Sequence, residues 1–440
     1  MLKNKKNVVP FLFLIIISLF YTPYFNVISW GGDYGTYLDQ SKAMFSNEFN
    51  EFIDNQNELL QYQNNRYPLY TPFGFPLLIK FFSYFHNYDL INVKLLIPIF
   101  FFACIYVIYN NLKSRYSIFL IICLIVSPNI QDQFREIQTE IPTTALLIFG
   151  FFSKNKYLKI LFFIIAVISR PSFLVFVIVY LFYDIADTKT IKIPAIFISI
   201  LLILHLVLFI FFDLKFYGFY ESQYNSSGIF DILSNNLGLI SVNNVLFIIY
   251  ELGRLITGFS TNLNYLLGAL CIIYLLISKN KYSVMCLLFI IFHNFWIAGY
   301  YVRYFLPILF LLVLSFDTFI NENFYIKEKY LYLTLSVFIS VSAFLSIYQI
   351  QNLDAQRGPL ENNSKEMLTF IKKNYDNTTT LFTFHSPRVF NLITEKKSYV
   401  YDKELVKGTI IICEYNIEKC VKPLDYNEKF TNAKYVIFGP

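Results

Sequence analysis

Apolar runs recur along the chain, each closed by a short polar turn, and few of them are interrupted by a charge. A helix that crosses a bilayer needs about 20 mostly apolar residues, fewer where it is short or re-entrant. On that measure the pattern predicts about eleven crossings, at 8–28, 90–109, 118–126, 141–152, 157–169, 172–183, 191–212, 263–277, 284–299, 305–316 and 330–350. The apolar stretch at 73–85 is short for a full span and reads as a helix at the outer interface. Arg170-Pro171 divides the runs 157–169 and 172–183. Proline has no N–H to donate and pushes the residue before it out of the helical region, so a break is expected there.

Two long polar segments, 29–70 and 213–262, interrupt this pattern, the second with an amphipathic stretch around 232–255. The last 90 residues change character. Val389, Tyr399, Val400 and the runs 410–412 and 435–438 read as short strands, and 364–374 reads as a helix. The expected architecture is therefore an α-helical polytopic membrane domain over 1–350, with outer loops at 29–88 and 128–140, and a small extracytoplasmic α/β domain over 351–440. No internal repeat stands out, which counts against an inverted-repeat transporter.

Orientation follows from charge. Lys3, Lys5 and Lys6 precede the first run, and Lys113, Arg115, Lys154, Lys156, Lys279, Lys281, Lys327 and Lys329 fall in the loops assigned inside. Basic residues near span ends mark the cytoplasmic side, so the N-terminus is expected there, and the first helix is read as retained because no small-residue cleavage site follows it. The long loops and the C-terminal segment hold most of the carboxylates and are expected outside.

Composition agrees. Hydrophobic residues make up 56% and charged residues 15%, with 50 Phe, 35 Tyr and two Trp, whereas soluble domains run about 45–50% apolar and about 25% charged. A soluble fold would have to expose large apolar patches. The net charge of +6 is scattered in inner turns rather than gathered in one basic surface, so nucleic acid is not the expected partner. Cys104, Cys123, Cys271 and Cys286 lie in apolar runs as small fillers. Cys413 and Cys420 lie in the polar C-terminal segment and could pair in an oxidising compartment.

The outer face is where polar groups converge. The first loop opens Trp30-Gly31-Gly32-Asp33-Tyr34-Gly35-Thr36-Tyr37. There Asp33 is either a helix cap or a carboxylate made more basic by partial desolvation. The loop closes Arg66-Tyr67-Pro68-Leu69-Tyr70-Thr71-Pro72-Phe73-Gly74-Phe75-Pro76. Glu140 stands at the mouth of the span 141–152, and Arg170 and Arg303 stand at outer helix ends, in Ser169-Arg170-Pro171 and Arg303-Tyr304-Phe305-Leu306-Pro307. Singly such arginines are interfacial anchors. Together, two acids and several arginines suit an anionic, lipid-linked substrate whose phosphate takes forked donors. Glu251 and Arg254, at i, i+3 spacing, read as a local ion pair that could also line an acceptor cleft.

The order of these motifs resembles the GT-C superfamily of membrane glycosyltransferases, and most of all its family 39 group, which includes the protein O-mannosyltransferases and the lipid A aminoarabinose transferase. The matching features are Asp-x-x-x-Tyr in the first outer loop, Pro-x-Gly-x-Pro-Leu-Leu, Thr-Glu at a span entrance, Arg-Pro between two short helices, a late Arg-Tyr-x-x-Pro, and Ser386-Pro387-Arg388-Val389 near the C-terminus. The resemblance implies transfer of a sugar from a polyprenyl-phosphate donor to a lipid, glycan or protein acceptor outside the cytoplasm, in a bacterial inner membrane. Asp33 would be the catalytic base or would help hold a divalent metal ion. Arg66, Arg170 and Arg303 would hold the donor phosphate, and Tyr37, Tyr67 and Glu140 would contact substrate. One departure bears on the metal: the position after Asp33, often a second acid in the group, is Tyr34. The competing readings are a transporter or flippase of a lipid-linked sugar and a non-catalytic subunit of envelope polysaccharide assembly. A reporter fused after Ile350 is expected to score as extracytoplasmic; a cytoplasmic signal would overturn the loop assignment.

Overall fold

The computed structural model describes residues 34–44, 72–134, 137–212, 242–294, 302–322, 336–348, 361–383, 387–400, 409–415 and 425–440, with Ile16 and apart from isolated positions inside these stretches. The expected span at 8–28 (Ile16 aside), Asp33, Arg66 and Tyr67 lie outside the described residues.

The chain is a helical membrane protein with a small sheet at its C-terminal end. Among the described residues, Leu90–Asn111, Pro171–Thr188 and Arg303–Glu322 are long and apolar enough to cross a bilayer unaided, and five shorter apolar helices accompany them. Leu90–Asn111 is two helices in tandem, Leu90–Lys94 and Leu96–Asn111. Its start is set by Asp89, whose Oδ1 accepts from the backbone N–H groups of Ile91 and Asn92 at 3.0 Å each, satisfying donors that the first helical turn leaves orphaned. Asn155 does the same for Lys156–Ser169, accepting from Tyr157 N and Leu158 N.

Aromatic rings fill the contacts between helices, which accounts for much of the phenylalanine. Phe101 meets Phe134 edge-on at 5.3 Å and Phe310 at 6.3 Å, while Phe176 stacks on Phe289 at 4.3 Å, geometries that ring quadrupoles favour. Other large apolar side chains point outward: Phe81, Phe85 and Phe182 are 77%, 78% and 67% exposed. In water such a belt would be a liability; in hydrocarbon it is the solvated surface.

One end of the bundle is lysine-bearing and tightly cross-linked. Asp317, buried on Leu306–Glu322, accepts from the backbone N–H groups of Lys113 and Ser114 at 2.9 and 2.8 Å. Ser315 on the same helix bonds Tyr274, Asn280 and Ser283. Lys159 pairs with Asp184 at 3.6 Å and donates to Tyr180, whose hydroxyl donates to the Phe151 carbonyl. These bonds join the turns at this end to one another.

Two expectations are corrected. The second long polar segment is not loop up to 262: within the amphipathic stretch around 232–255, of which 232–241 lie outside the described residues, Val242–Thr257 is a helix packed antiparallel along Leu263–Ser278. Gly253 lies against the Asn264 carbonyl and Gly268 against the Ile249 carbonyl, so closely that a methyl at either position would strike backbone. Its polar face misled because part of that polarity is buried, as the site below shows. The other correction is Val389, expected in a strand, which lies on the helix Pro387–Thr394. A buried Val389-Phe390 pair is compatible with either element in so short a run.

The C-terminal unit carries a five-stranded sheet: β1 Leu381–Thr383, β2 Ser398–Val400, β3 Ile410–Glu414, β4 Asn427–Thr431 and β5 Tyr435–Gly439, in the order β2-β1-β3-β5-β4. β1 pairs in parallel with β2 and β3, and β5 antiparallel with β3 and β4. Cys413 on β3 is disulfide-bonded; its anticipated partner Cys420 lies outside the described residues. The unit docks through Pro387–Thr394, which packs against the helix Tyr34–Ala43, and that helix packs in turn on Gly74–His86.

Gly253→Leu is expected to force the Val242–Thr257 and Leu263–Ser278 helices apart. Overpacking of this kind costs about 1–3 kcal/mol and should appear as a lower melting temperature in detergent. An unchanged melting temperature would show that the helices have room to separate.

Candidate functional site

At the end of the bundle opposite the lysine-bearing turns, the helix break at Arg170 sets the geometry. Arg170 is extended (φ −150°, ψ 94°) before Pro171. Its N–H still closes the helix on the Ala166 carbonyl, and its own carbonyl accepts from Phe173 as the next helix begins with a 3-10 turn, Pro171–Phe173. The helix thus stops at Ser169, and the guanidinium swings across the end of the bundle.

It meets Glu140, the first residue of Glu140–Phe152 and only 2% exposed. A carboxylate in a first helical turn is favoured by the backbone dipole, and burial holds this one in place. Arg170 Nη1 donates to Glu140 Oε1 and to Thr139 Oγ1, both at 2.8 Å. Arg303 approaches from a third element, the 3-10 turn Val302–Phe305, with Nε 3.7 Å from the same Glu140 oxygen. The Tyr304 ring lies under both cations, 4.7 Å from the Arg170 guanidinium carbon and 5.3 Å from that of Arg303, a cation–π arrangement that gains strength when desolvated. Burial is the strongest single influence and works against the Arg170 charge, as does Arg303, but Glu140 together with the Tyr304 and Tyr37 hydroxyls outweighs them. The guanidinium pKa is raised above its ordinary value.

Tyr37 therefore belongs to the same cluster. It sits on Tyr34–Ala43, one turn after Asp33, with its ring edge-on to Phe75 at 5.2 Å. The sequence segment Pro72-Phe73-Gly74-Phe75-Pro76 has a structural meaning here. Gly74 begins its helix directly against Ser169, where a methyl group would overlap the Ser169 hydroxyl and backbone nitrogen. Only a residue without Cβ lets this helix abut the corner that aims Arg170.

Of the seven residues expected at the site, Tyr37, Glu140, Arg170 and Arg303 come together; Asp33, Arg66 and Tyr67 lie outside the described residues. Sequence reasoning passed over Thr139 and Tyr304, each the immediate neighbour of a residue it named. Two buried hydroxyls beside the cluster, Ser169 Oγ and Thr143 Oγ1, have no hydrogen-bond partner. Among the described residues two guanidiniums meet at one carboxylate, forked donors of the kind that hold an anion such as a phosphate ester. No three His, Cys, Asp or Glu side chains among the described residues gather to hold a metal ion, and at Glu140 the carboxylate is met by guanidiniums; Asp33, expected to help hold one, lies outside the described residues.

Comparison with solved structures places the fold. The chain is similar to ArnT from Cupriavidus metallidurans bound to undecaprenyl phosphate, with TM-score 0.58 and 8% identity over 97% of each chain. It is also similar to the apo state of that protein, with TM-score 0.49 and 9% identity over 100% of this chain and 98% of the other. No family model matches the sequence, and no curated protein matches it either. The chain thus shares the fold of ArnT over nearly its whole length.

Removing one partner of a buried ion pair costs about 3–5 kcal/mol. Arg170→Met and Glu140→Gln should therefore each destabilise the protein, and the double variant by clearly less than their sum. Additive losses in a thermal double-mutant cycle would show that the two are not coupled.

Proposed function

We propose that the chain is a membrane glycosyltransferase that moves a sugar from a polyprenyl-phosphate donor to an acceptor on the extracytoplasmic face of a bacterial inner membrane. The observation that carries this is the convergence of Arg170 and Arg303, from elements far apart in sequence, on one buried carboxylate at one end of a membrane bundle with the fold of ArnT. That ArnT structure holds undecaprenyl phosphate, a ligand of the class a two-arginine site would take.

In this reading the guanidiniums of Arg170 and Arg303 hold the donor phosphate and stabilise the charge it gains as the anomeric C–O bond breaks. Glu140 fixes both cations and cancels part of their charge, so that product phosphate can leave. Asp33, next to the helix that brings Tyr37 into the cluster, takes the proton of the acceptor hydroxyl as its oxygen attacks. A single displacement of this kind inverts the anomeric centre. Polyprenyl phosphate leaves as a lipid, and no soluble nucleotide is involved. The disulfide at Cys413 and the lysines clustered at the opposite end support an extracytoplasmic site. The two units are 1–350, which holds the cluster, and 351–440, which docks beside it.

The test is to incubate purified protein with a panel of polyprenyl-phosphate sugars and follow donor consumption and glycosylated product. Asp33→Asn is expected to lower turnover by about 10²–10⁴-fold with folding and insertion intact. Arg303→Lys should lower it more than it lowers stability, because lysine has no planar fork. Translocation of the donor across a vesicle membrane with no product formed would favour a flippase instead; unchanged transfer in Asp33→Asn would remove that residue from the mechanism.

A further inference from the structure

On Val242–Thr257 the buried residues Ile248, Glu251, Leu252 and Leu255 recur at helical spacing and form one stripe. Glu251 sits in the middle of it, 2% exposed. The glycine face of the helix, Ile249 and Gly253, is taken up by Leu263–Ser278. The stripe is a different face, and the helix's other neighbours include the Val302–Phe305 turn and the short helix Pro128–Asp132. The second of these contacts is fixed by Asn129, whose amide donates to the Arg254 and Leu255 carbonyls at 2.9 and 2.7 Å. The helix that carries Glu251 thus also packs on the turn that delivers Arg303 and Tyr304 to Glu140.

Its charge is poorly met. Oε1 has a long contact, 3.3 Å, to Nη1 of Arg254 one turn on, and Oε2 has no hydrogen-bond partner among the described residues. Arg254 Nε is likewise buried without one. Glu140, by contrast, is held by two cations and a threonine hydroxyl. A buried carboxylate oxygen left open is an acceptor waiting for an O–H or N–H group, and it repels a phosphate. We infer that Glu251 is a second substrate-binding carboxylate of this site, one that accepts a hydrogen bond from a hydroxyl of the donor's sugar while Arg170 and Arg303 hold the phosphate. The inference rests on the glycosyltransferase reading and extends it. It assigns the two ends of the donor to two sides of the Val302–Phe305 turn: the anionic end to Glu140, Arg170 and Arg303, and the neutral, hydroxyl-bearing end to Glu251.

The test compares two probes on the full-length protein in detergent, bare undecaprenyl phosphate and a panel of undecaprenyl-phosphate hexoses and pentoses, by ligand-dependent thermal shift and by native mass spectrometry. The variant Glu251→Gln is isosteric and keeps an oxygen but has no charge. It is expected to weaken binding of the sugar-bearing donor about tenfold, the scale of a hydrogen bond to a charged group, and to leave binding of bare undecaprenyl phosphate within about twofold, a difference too small to represent a lost bond. Glu251→Met, which also removes the acceptor, should weaken the glycosylated donor further and again spare the bare phosphate. Equal loss for both probes would make Glu251 a packing residue and overturn the inference, as would undiminished binding of the glycosylated donor, or a wild-type protein that binds the bare lipid but none of the panel. Failure of the wild type to bind bare undecaprenyl phosphate would sink the parent reading, a distinct result.

Discussion

A single buried ion pair organises one end of this molecule. Glu140 and Arg170 come from helices that start and stop at the same level, and their 2.8 Å contact is made where little water reaches. A charge placed there without its partner would be untenable. The chain therefore has to present both, and the means are local and cheap: a proline that ends one helix and a carboxylate at the start of another. Arg303 and the shared Tyr304 ring then bring a second cation to the same carboxylate.

The two ends of the bundle solve different problems. At the lysine-bearing end, Asp317, Ser315 and Asn280 spend their hydrogen bonds on backbone and on one another, closing the turns. Among the described residues, buried polar atoms without partners occur at both ends: Ser114 Oγ and Asp184 Oδ2 at the lysine-bearing end, Ser169 Oγ, Thr143 Oγ1 and Glu251 Oε2 at the other.

Much of the helical architecture was legible in the sequence because bilayer thickness imposes a length on apolar runs. Helix starts such as that at Asp89 and the break at Arg170-Pro171 follow from backbone chemistry alone. The cluster was partly legible: Glu140, Arg170 and Arg303 each stand at a helix end, where a charge is conspicuous against an apolar background. Their convergence was not, since three-dimensional proximity of positions 140, 170 and 303 depends on how helices pack. Thr139 and Tyr304 escaped notice because threonine and tyrosine are ordinary at span ends. Val242–Thr257 was legible only in part: the Glu251–Arg254 ion pair expected from i, i+3 spacing is present at 3.3 Å, whereas the glycine contacts that bury the helix leave no trace in hydropathy.

The helix Tyr34–Ala43 touches both Gly74–His86 and the Pro387–Thr394 helix of the C-terminal unit. It is a keystone, with the membrane bundle as one abutment and the sheet-bearing unit as the other. Trimming the gene after the last span would therefore not yield a minimal working core. The stub would lose one of the two surfaces that seat the peptide following Asp33, so the membrane part and the C-terminal part must be inherited and engineered as one piece.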